Sequence, residues 1–167
     1  MIFSNLTDLH DALRSGKTTC VQLVHDALAR ADAAKDLNAF VEVFPESALA
    51  KAKQVDASLA SGTAGSLAGM VMAIKDNLSY AGHAMSASSK ILNNYTSPYT
   101  ATAVQRLLDA DAIILGRTGC DEFAMGSSNE TSFHGAVKNP VDPTITPGGS
   151  SGGSASAVGA SVVQAAL

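Results

Sequence analysis

Apolar residues recur at helical spacing in two short stretches near the amino end. Leu6, Leu9 and Leu13 share one face of a first helix, with Thr7 as its expected N-cap and Gly16 as its stop. Val21, Val24, Leu28 and Ala31 share one face of a second helix, and Thr19 followed three positions later by Gln22 reads as a capping box. The pattern then tightens to a short strand, Ala39 to Phe44. Pro45 suits the first position of a third helix through Ala48, Ala52 and Val55, and Ser61 to Ser66 is a glycine-containing loop. From Leu67 the chain changes character. Met70 to Ile74 is an unbroken apolar run, as expected of a strand buried on both faces, and it delivers Lys75 at its carboxyl end. Thr100 is the expected cap of a helix carrying Val104, Leu107 and Leu108. Asp111 leads into a second buried strand, Ala112 to Leu115, closed by Gly116. Ser154 to Ala166 is small and apolar, the composition of a helix packed closely on a sheet. This alternation predicts an α/β fold, with a helical segment and one short strand over residues 1–62 and the beginning of an α/β core over 63–167.

Composition narrows the classes. With 46% apolar residues, 167 residues suffice for a real core, and no run approaches the roughly 20 apolar residues of a membrane-spanning helix. No basic region followed by an apolar signal core opens the chain, so the expected setting is cytoplasmic. The two cysteines, Cys20 and Cys120, lie far apart without metal-ligand spacing, which favours reduced thiols over a disulfide framework or a zinc site. Eleven Lys+Arg against 15 Asp+Glu give a formal charge of −4, and no basic cluster offers a footprint for nucleic acid. Any RNA contact is expected to lie mainly on a partner.

Candidate chemistry gathers at two places. Lys75 ends an apolar run, where an amine sheltered from water can serve as a base; the alternative is a lysine that marks the strand exit and extends into solvent. Asp76, its neighbour in extended chain, points to the other face and reads as structural. The second place is Thr146-Pro147-Gly148-Gly149-Ser150-Ser151-Gly152-Gly153-Ser154-Ala155, a backbone that can bend sharply and present hydroxyls. Gly148 to Gly152 also fits the G-x-S-x-G nucleophile elbow. Yet His10, His25, His83 and His134 all precede Ser150, and the preceding segment, with Pro143 and Pro147, is a poor central strand. It lacks the Lys-Ser/Thr ending of a phosphate-binding loop, and a flexible linker is the plainer alternative. Between the two places, Gly116 to Gly135 is dense in small polar residues and suggests a cleft wall, with Asp121 and Glu122 suited to a helix N-terminus. A Cys120–His134 pair is a further possibility that no spacing fixes.

Three blocks, Ala73-Ile74-Lys75-Asp76-Asn77, Asp121 to Ser132 and Pro147 to Ala155, together resemble the amidase signature family, most nearly its branch of glutaminase components of tRNA-dependent amidotransferases. The resemblance covers nearly the whole chain and implies a mixed sheet flanked by helices. It matches Lys75 to the catalytic lysine and Ser150 to the bridging serine of a Ser–Ser–Lys triad, with a cis peptide between Gly149 and Ser150. Candidate substrate-binding positions are Met125, Gly126, Ser127 and Ser128. The acyl-forming serine of the family would fall about seven positions beyond Leu167, so the chain is expected to be an amino-terminal fragment, inactive alone. Gly119-Cys120 stands where Asn-Met is common, a neutral departure. The intact enzyme is implied to release ammonia from glutamine and pass it to a misacylated Glu-tRNA(Gln) or Asp-tRNA(Asn). The implied partners are B and C subunits, with ATP and magnesium on the partner and no cofactor or metal on this chain. Another amide hydrolase of the family, or a non-catalytic partner-binding module, are the alternatives.

Overall fold

A computed structural model of the chain describes Phe3 and residues 5–167. Among the described residues, five α-helices and four strands follow in the order α1 (Leu6–Arg14), α2 (Cys20–Ala33), β1 (Phe40–Val43), α3 (Pro45–Ser61), β2 (Val71–Lys75), α4 (Thr102–Asp109), β3 (Ile113–Thr118), α5 (Gly152–Gly159) and β4 (Ala165–Ala166). The strands form one mixed sheet in the order β1-β3-β2-β4, with β2 parallel to both β3 and β4 and β1 antiparallel to β3. The expected α/β class is therefore the observed one.

Side-chain alternation explains why the two central strands read as unbroken apolar runs. Val71, Ala73, Ile113 and Leu115 enter one buried cluster with residues of α2, α3 and α5. Met72, Ile74 and Ile114 enter a second with Phe44 and Val104 of α4. Successive residues of a strand point to opposite faces, and a sheet covered on both faces needs apolar groups at every position. Each of the valine, leucine, isoleucine and methionine side chains among them contributes about 1.5–3 kcal/mol of burial. Since β1 pairs with β3 and α2 and α3 pack into the first cluster, residues on both sides of position 62 share one core. Among the described residues, no helix is long and apolar enough to cross a membrane.

Several expected boundaries move. The cap of α1 is Asn5, whose side chain accepts from Asp8 N at 2.9 Å, and Thr7 lies inside the helix; the expected stop at Gly16 holds, with φ +69°. Thr19 accepts from Gln22 N at 3.1 Å, but the Gln22 amide reaches forward to Asp26 at 2.8 Å, so only half of the box forms. Asp56 of α3 takes Cys20 N and Val21 N, adding a tertiary cap to the local one. Thr100 caps nothing in α4: its hydroxyl accepts from Ala81 N, and Ala101 is the N-cap residue. β3 does not close at Gly116 but runs through it, because a side chain there would meet Glu42 O at 2.3 Å and hold β1 away. The expected helix to Ala166 stops at Gly159. Ser161 at φ +57° turns the chain, Val162 and Val163 are buried, and β4 then pairs with β2. Tertiary burial of the two valines overrides the helical reading of a small, apolar sequence.

Candidate active site

Lys75 ends β2 opposite Thr118, the last residue of β3, so both lie at the carboxyl ends of two parallel strands, where ligands of open α/β sheets bind. Beyond β3 the chain is fastened to α5. Ser154 and Thr118 hydroxyls meet at 2.8 Å; Thr118 donates to Ile74 O at 3.2 Å, which leaves Ser154 as the donor between the two hydroxyls. Gly153 N donates to Gly119 O at 2.9 Å, and a side chain at Gly153 would sit 2.5 Å from Ala39 O and Gly119 N. Only glycine lets the helix approach the sheet this closely. The start of α5 thereby carries the preceding glycine-serine loop over Lys75.

The loop is held from its other side by Asp121, which is fully buried. Its backbone N–H donates to Ser150 O at 3.0 Å, and its carboxylate accepts from Asn129 N at 2.9 Å and the Thr131 hydroxyl at 3.0 Å. A Cβ on Gly149 would lie 2.3 Å from that carboxylate and 2.7 Å from Ser128 N, and the Gly149–Ser150 peptide is cis. The result is two hydroxyls presented to one amine: Lys75 Nζ lies 2.6 Å from Ser150 Oγ and 2.8 Å from Ser151 Oγ. The reading of Lys75 as a lysine extended into solvent is thus corrected. At these distances a proton can pass between amine and hydroxyl.

Behind Lys75, Asp76 is buried and accepts from Ser86 Oγ at 2.5 Å, Ser88 N at 2.7 Å, Ser86 N at 3.1 Å and Arg117 Nη1. Its structural reading stands, and it ties the Ser86–Ser88 arm under the end of β2. Ser86 has one hydroxyl proton and gives it to the carboxylate. His134 Nε2, 2.8 Å from Ser86 Oγ, must therefore carry a proton and donate. Burial lowers the His134 pKa against the pull of Asp76, with Arg117 adding to the lowering. Cys120 is elsewhere engaged: its N–H donates to Ser88 Oγ at 3.0 Å and its thiol lies 3.4 Å from the same atom, so the Cys120–His134 pair does not form. Burial raises the Cys120 pKa despite the Ser88 contact and the Lys75 charge, which oppose it. The expected helix at Asp121 and Glu122 shrinks to a single 3-10 turn, Glu122–Ala124.

Of the candidate substrate positions, Met125 is 80% exposed, Gly126 packs against the Asp121 carboxylate, and the Ser127–Ser128 backbone lies against Gly149. They border the loop that holds Ser150. Sequence reasoning missed Ser151 as a second contact of Lys75, although the adjacent serine pair was a visible signal. It also missed Arg117, a cation inside an apolar strand and therefore a sign of a buried partner. Among the described residues, no group of three or more His, Cys, Asp or Glu side chains is placed to hold a metal ion.

Comparison with known proteins bears on the family and the fold. A sequence profile of the amidase family, described as Amidase, matches residues 22–167. The A subunit of glutamyl-tRNA(Gln) amidotransferase from Chlorobium limicola is 52% identical over 168 residues, covering all of this chain and 35% of that protein. The native peptide amidase of Stenotrophomonas maltophilia superposes with a TM-score of 0.89 at 33% identity, over 98% of this chain and 35% of its own. The Thermotoga maritima counterpart of the Chlorobium protein, again from glutamyl-tRNA(Gln) amidotransferase, does so with a TM-score of 0.72 at 32% identity, over 99% of this chain and 35% of its own. The chain thus spans about a third of the length of the curated relatives it matches. With a lysine and a serine pair brought together at the carboxyl edge of such a sheet, and with the profile matching from α2 to Leu167, the chain belongs to the amidase family.

Proposed function

We propose that this chain supplies the lysine and bridging serine of a Ser–Ser–Lys amidohydrolase, the glutaminase part of a tRNA-dependent amidotransferase. The observation that carries the reading is the 2.6 Å contact between Lys75 Nζ and Ser150 Oγ at the end of β2. A second observation supports it: Lys75 N donates to Leu167 O at 2.8 Å, so a chain continuing past Leu167 leaves beside Lys75, where a nucleophilic serine is needed. That serine would attack the carboxamide carbon of glutamine while its proton passes to Ser150 and the Ser150 proton to a neutral Lys75. The same relay run backwards would protonate the departing ammonia, and water would then release glutamate from the ester. Transfer of the ammonia to misacylated Glu-tRNA(Gln) or Asp-tRNA(Asn) would fall to B and C subunits in the cytoplasm, with ATP and magnesium held by the partner.

The amidotransferase reading is favoured over another amide hydrolase because A subunits such as those of two Chlorobium species are about half identical to this chain over its whole length, whereas the Thermotoga A subunit and the peptide amidase, at 32% and 33%, do not separate the two readings. The test joins this chain at Leu167 to the remaining length of the Chlorobium limicola protein and supplies that organism's partner proteins. Ammonia release from glutamine is expected in the joined protein and absent from the 167-residue chain. Lys75→Ala or Ser150→Ala should lower it by at least about 10²-fold. Undiminished turnover in either variant overturns the relay. Turnover of simple amides with none of glutamine gives the second reading its place, and a joined protein that binds its partners without hydrolysing any amide leaves a partner-binding module.

A further inference from the structure

Among the described residues, two serine–histidine contacts lie outside the Lys75 site proper, and their chemistry differs. At Ser86 the hydroxyl proton goes to Asp76, so His134 is a donor and cannot act as a base toward that serine. At Ser47 the order is reversed. His83 Nδ1 lies 3.1 Å from Ala81 O, a carbonyl that can only accept, so Nδ1 carries the proton. In the neutral ring Nε2 is then a free acceptor, and it lies 3.1 Å from Ser47 Oγ. The hydroxyl's other acceptor, Phe44 O, is longer at 3.4 Å. The ring itself is fixed: Tyr80 stacks on it at 4.0 Å and 5°, and Phe44 packs on it at 4.3 Å. A hydroxyl in reach of a base whose orientation is set by a third group is the arrangement of an activated nucleophile.

The pair opens on a cleft of about 370 Å³ that Glu42, Phe44 and Glu46 also line. Ser47 stands in the first turn of α3, where Pro45 carries no N–H and Ala48 N donates to Phe44 O at 2.9 Å, which leaves the N–H groups of Glu46 and Ser47 without an acceptor within the helix and able to face a developing oxyanion. Glu42 and Glu46 make the cleft unfavourable to carboxylates, although Glu42 is partly neutralised by Arg117 at 3.0 Å.

We propose that Ser47 and His83 form a second nucleophilic site, one that takes the acyl group of small esters without negative charge. Ser47 Oγ attacks the ester carbonyl and His83 Nε2 takes its proton. The bond from the carbonyl carbon to the leaving oxygen then breaks, and the proton passes from Nε2 to that oxygen, giving an O-acyl serine and an alcohol. The proposal is independent of the amidase reading.

The experiment treats the 167-residue chain with p-nitrophenyl acetate, follows nitrophenol release and maps the acetyl group by tryptic mass spectrometry. Residues 36–51 form one tryptic peptide in which Ser47 is the sole hydroxyl-bearing residue, so its label is distinct from any on Ser150 or Ser151. Acetylation of Ser47 should be at least about tenfold faster than in His83→Phe, which keeps a ring between Phe44 and Tyr80 but removes the base. Ser47→Ala should leave the peptide unlabelled at any hydroxyl. Circular dichroism of both variants should match the parent chain, and if the phenylalanine variant is unfolded, His83→Gln takes its place. Equal Ser47 labelling with and without the imidazole, or acetyl confined to lysines or to the Ser150 peptide, overturns the proposal.

Discussion

Replacing Asp76 by alanine should destabilise the fold by about 3–5 kcal/mol, the usual cost of breaking a buried ion pair by removing one partner. The structure gives the magnitude independently. The Asp76 side chain has no solvent exposure and accepts four hydrogen bonds, from Ser86 N and Oγ, Ser88 N and Arg117 Nη1. Its removal strands two buried backbone N–H groups, each costing about 1–3 kcal/mol. Arg117 is not fully orphaned, because Glu42 still lies 3.0 Å from its Nε, so the total stays within that range rather than above it. Against a stability of about 5–15 kcal/mol for an ordinary domain, this is a large fraction. Urea unfolding followed by circular dichroism measures it as a shift in midpoint at unchanged slope. A second readout is local: Ser88 holds Cys120 through both its N–H and its thiol, so freeing the Ser86–Ser88 arm should speed alkylation of Cys120 in the native state. A loss below about 1 kcal/mol with Cys120 still protected would refute the claim that Asp76 organises this end of the sheet.

Three other outcomes are expected. Gly153→Ala places a methyl group against three backbone atoms of Ala39 and Gly119, which cannot yield as a side chain would; overpacking should cost about 1–3 kcal/mol, visible as a drop in Tm, with weakened Lys75–Ser150 contact in a crystal structure of the variant. The Asp111 side chain is only 14% exposed, and although burial pushes its pKa up, the Lys51 hydrogen bond, the Gly65 N–H and the Lys51 charge together hold it below the usual carboxylate value. A depressed folded pKa stabilises above the unfolded value and loses that stabilisation as pH falls through the folded one. Asp111→Asn should therefore cost about 1–2 kcal/mol at neutral pH in urea unfolding, and the gap to the parent should close in acid. Burial, with Asp56 adding, raises the Cys20 pKa far above its ordinary value, and burial raises that of Cys120, so neither thiol should react with iodoacetamide at neutral pH until denaturant is added.

What the sequence determined by itself was local. The apolar runs before Lys75 and Gly116 are strands because every one of their positions must face one of two covered surfaces, and that requirement is written directly in consecutive residues. Pro45 starts α3, and Gly16 accepts the left-handed turn that ends α1, since those conformations depend on single residue types. Lys75 and Ser150 could be named as candidates from a strand end and a glycine-serine loop. That they touch could not be read so, because the contact depends on Gly153 letting α5 press on β3 and on Asp121 holding the loop from the other side. The same reason explains the misses. Thr7 and Thr100 have the right chemistry for caps, but Asn5 precedes the one and the Ala81 backbone claims the other, while the cap of α2 comes partly from Asp56 in a different helix. Ser154 to Ala166 has a composition that suits a helix throughout. Only the burial of Val162 and Val163 and the open edge of β2 made its last residues a strand, a choice settled by neighbours distant in the chain rather than by its own periodicity.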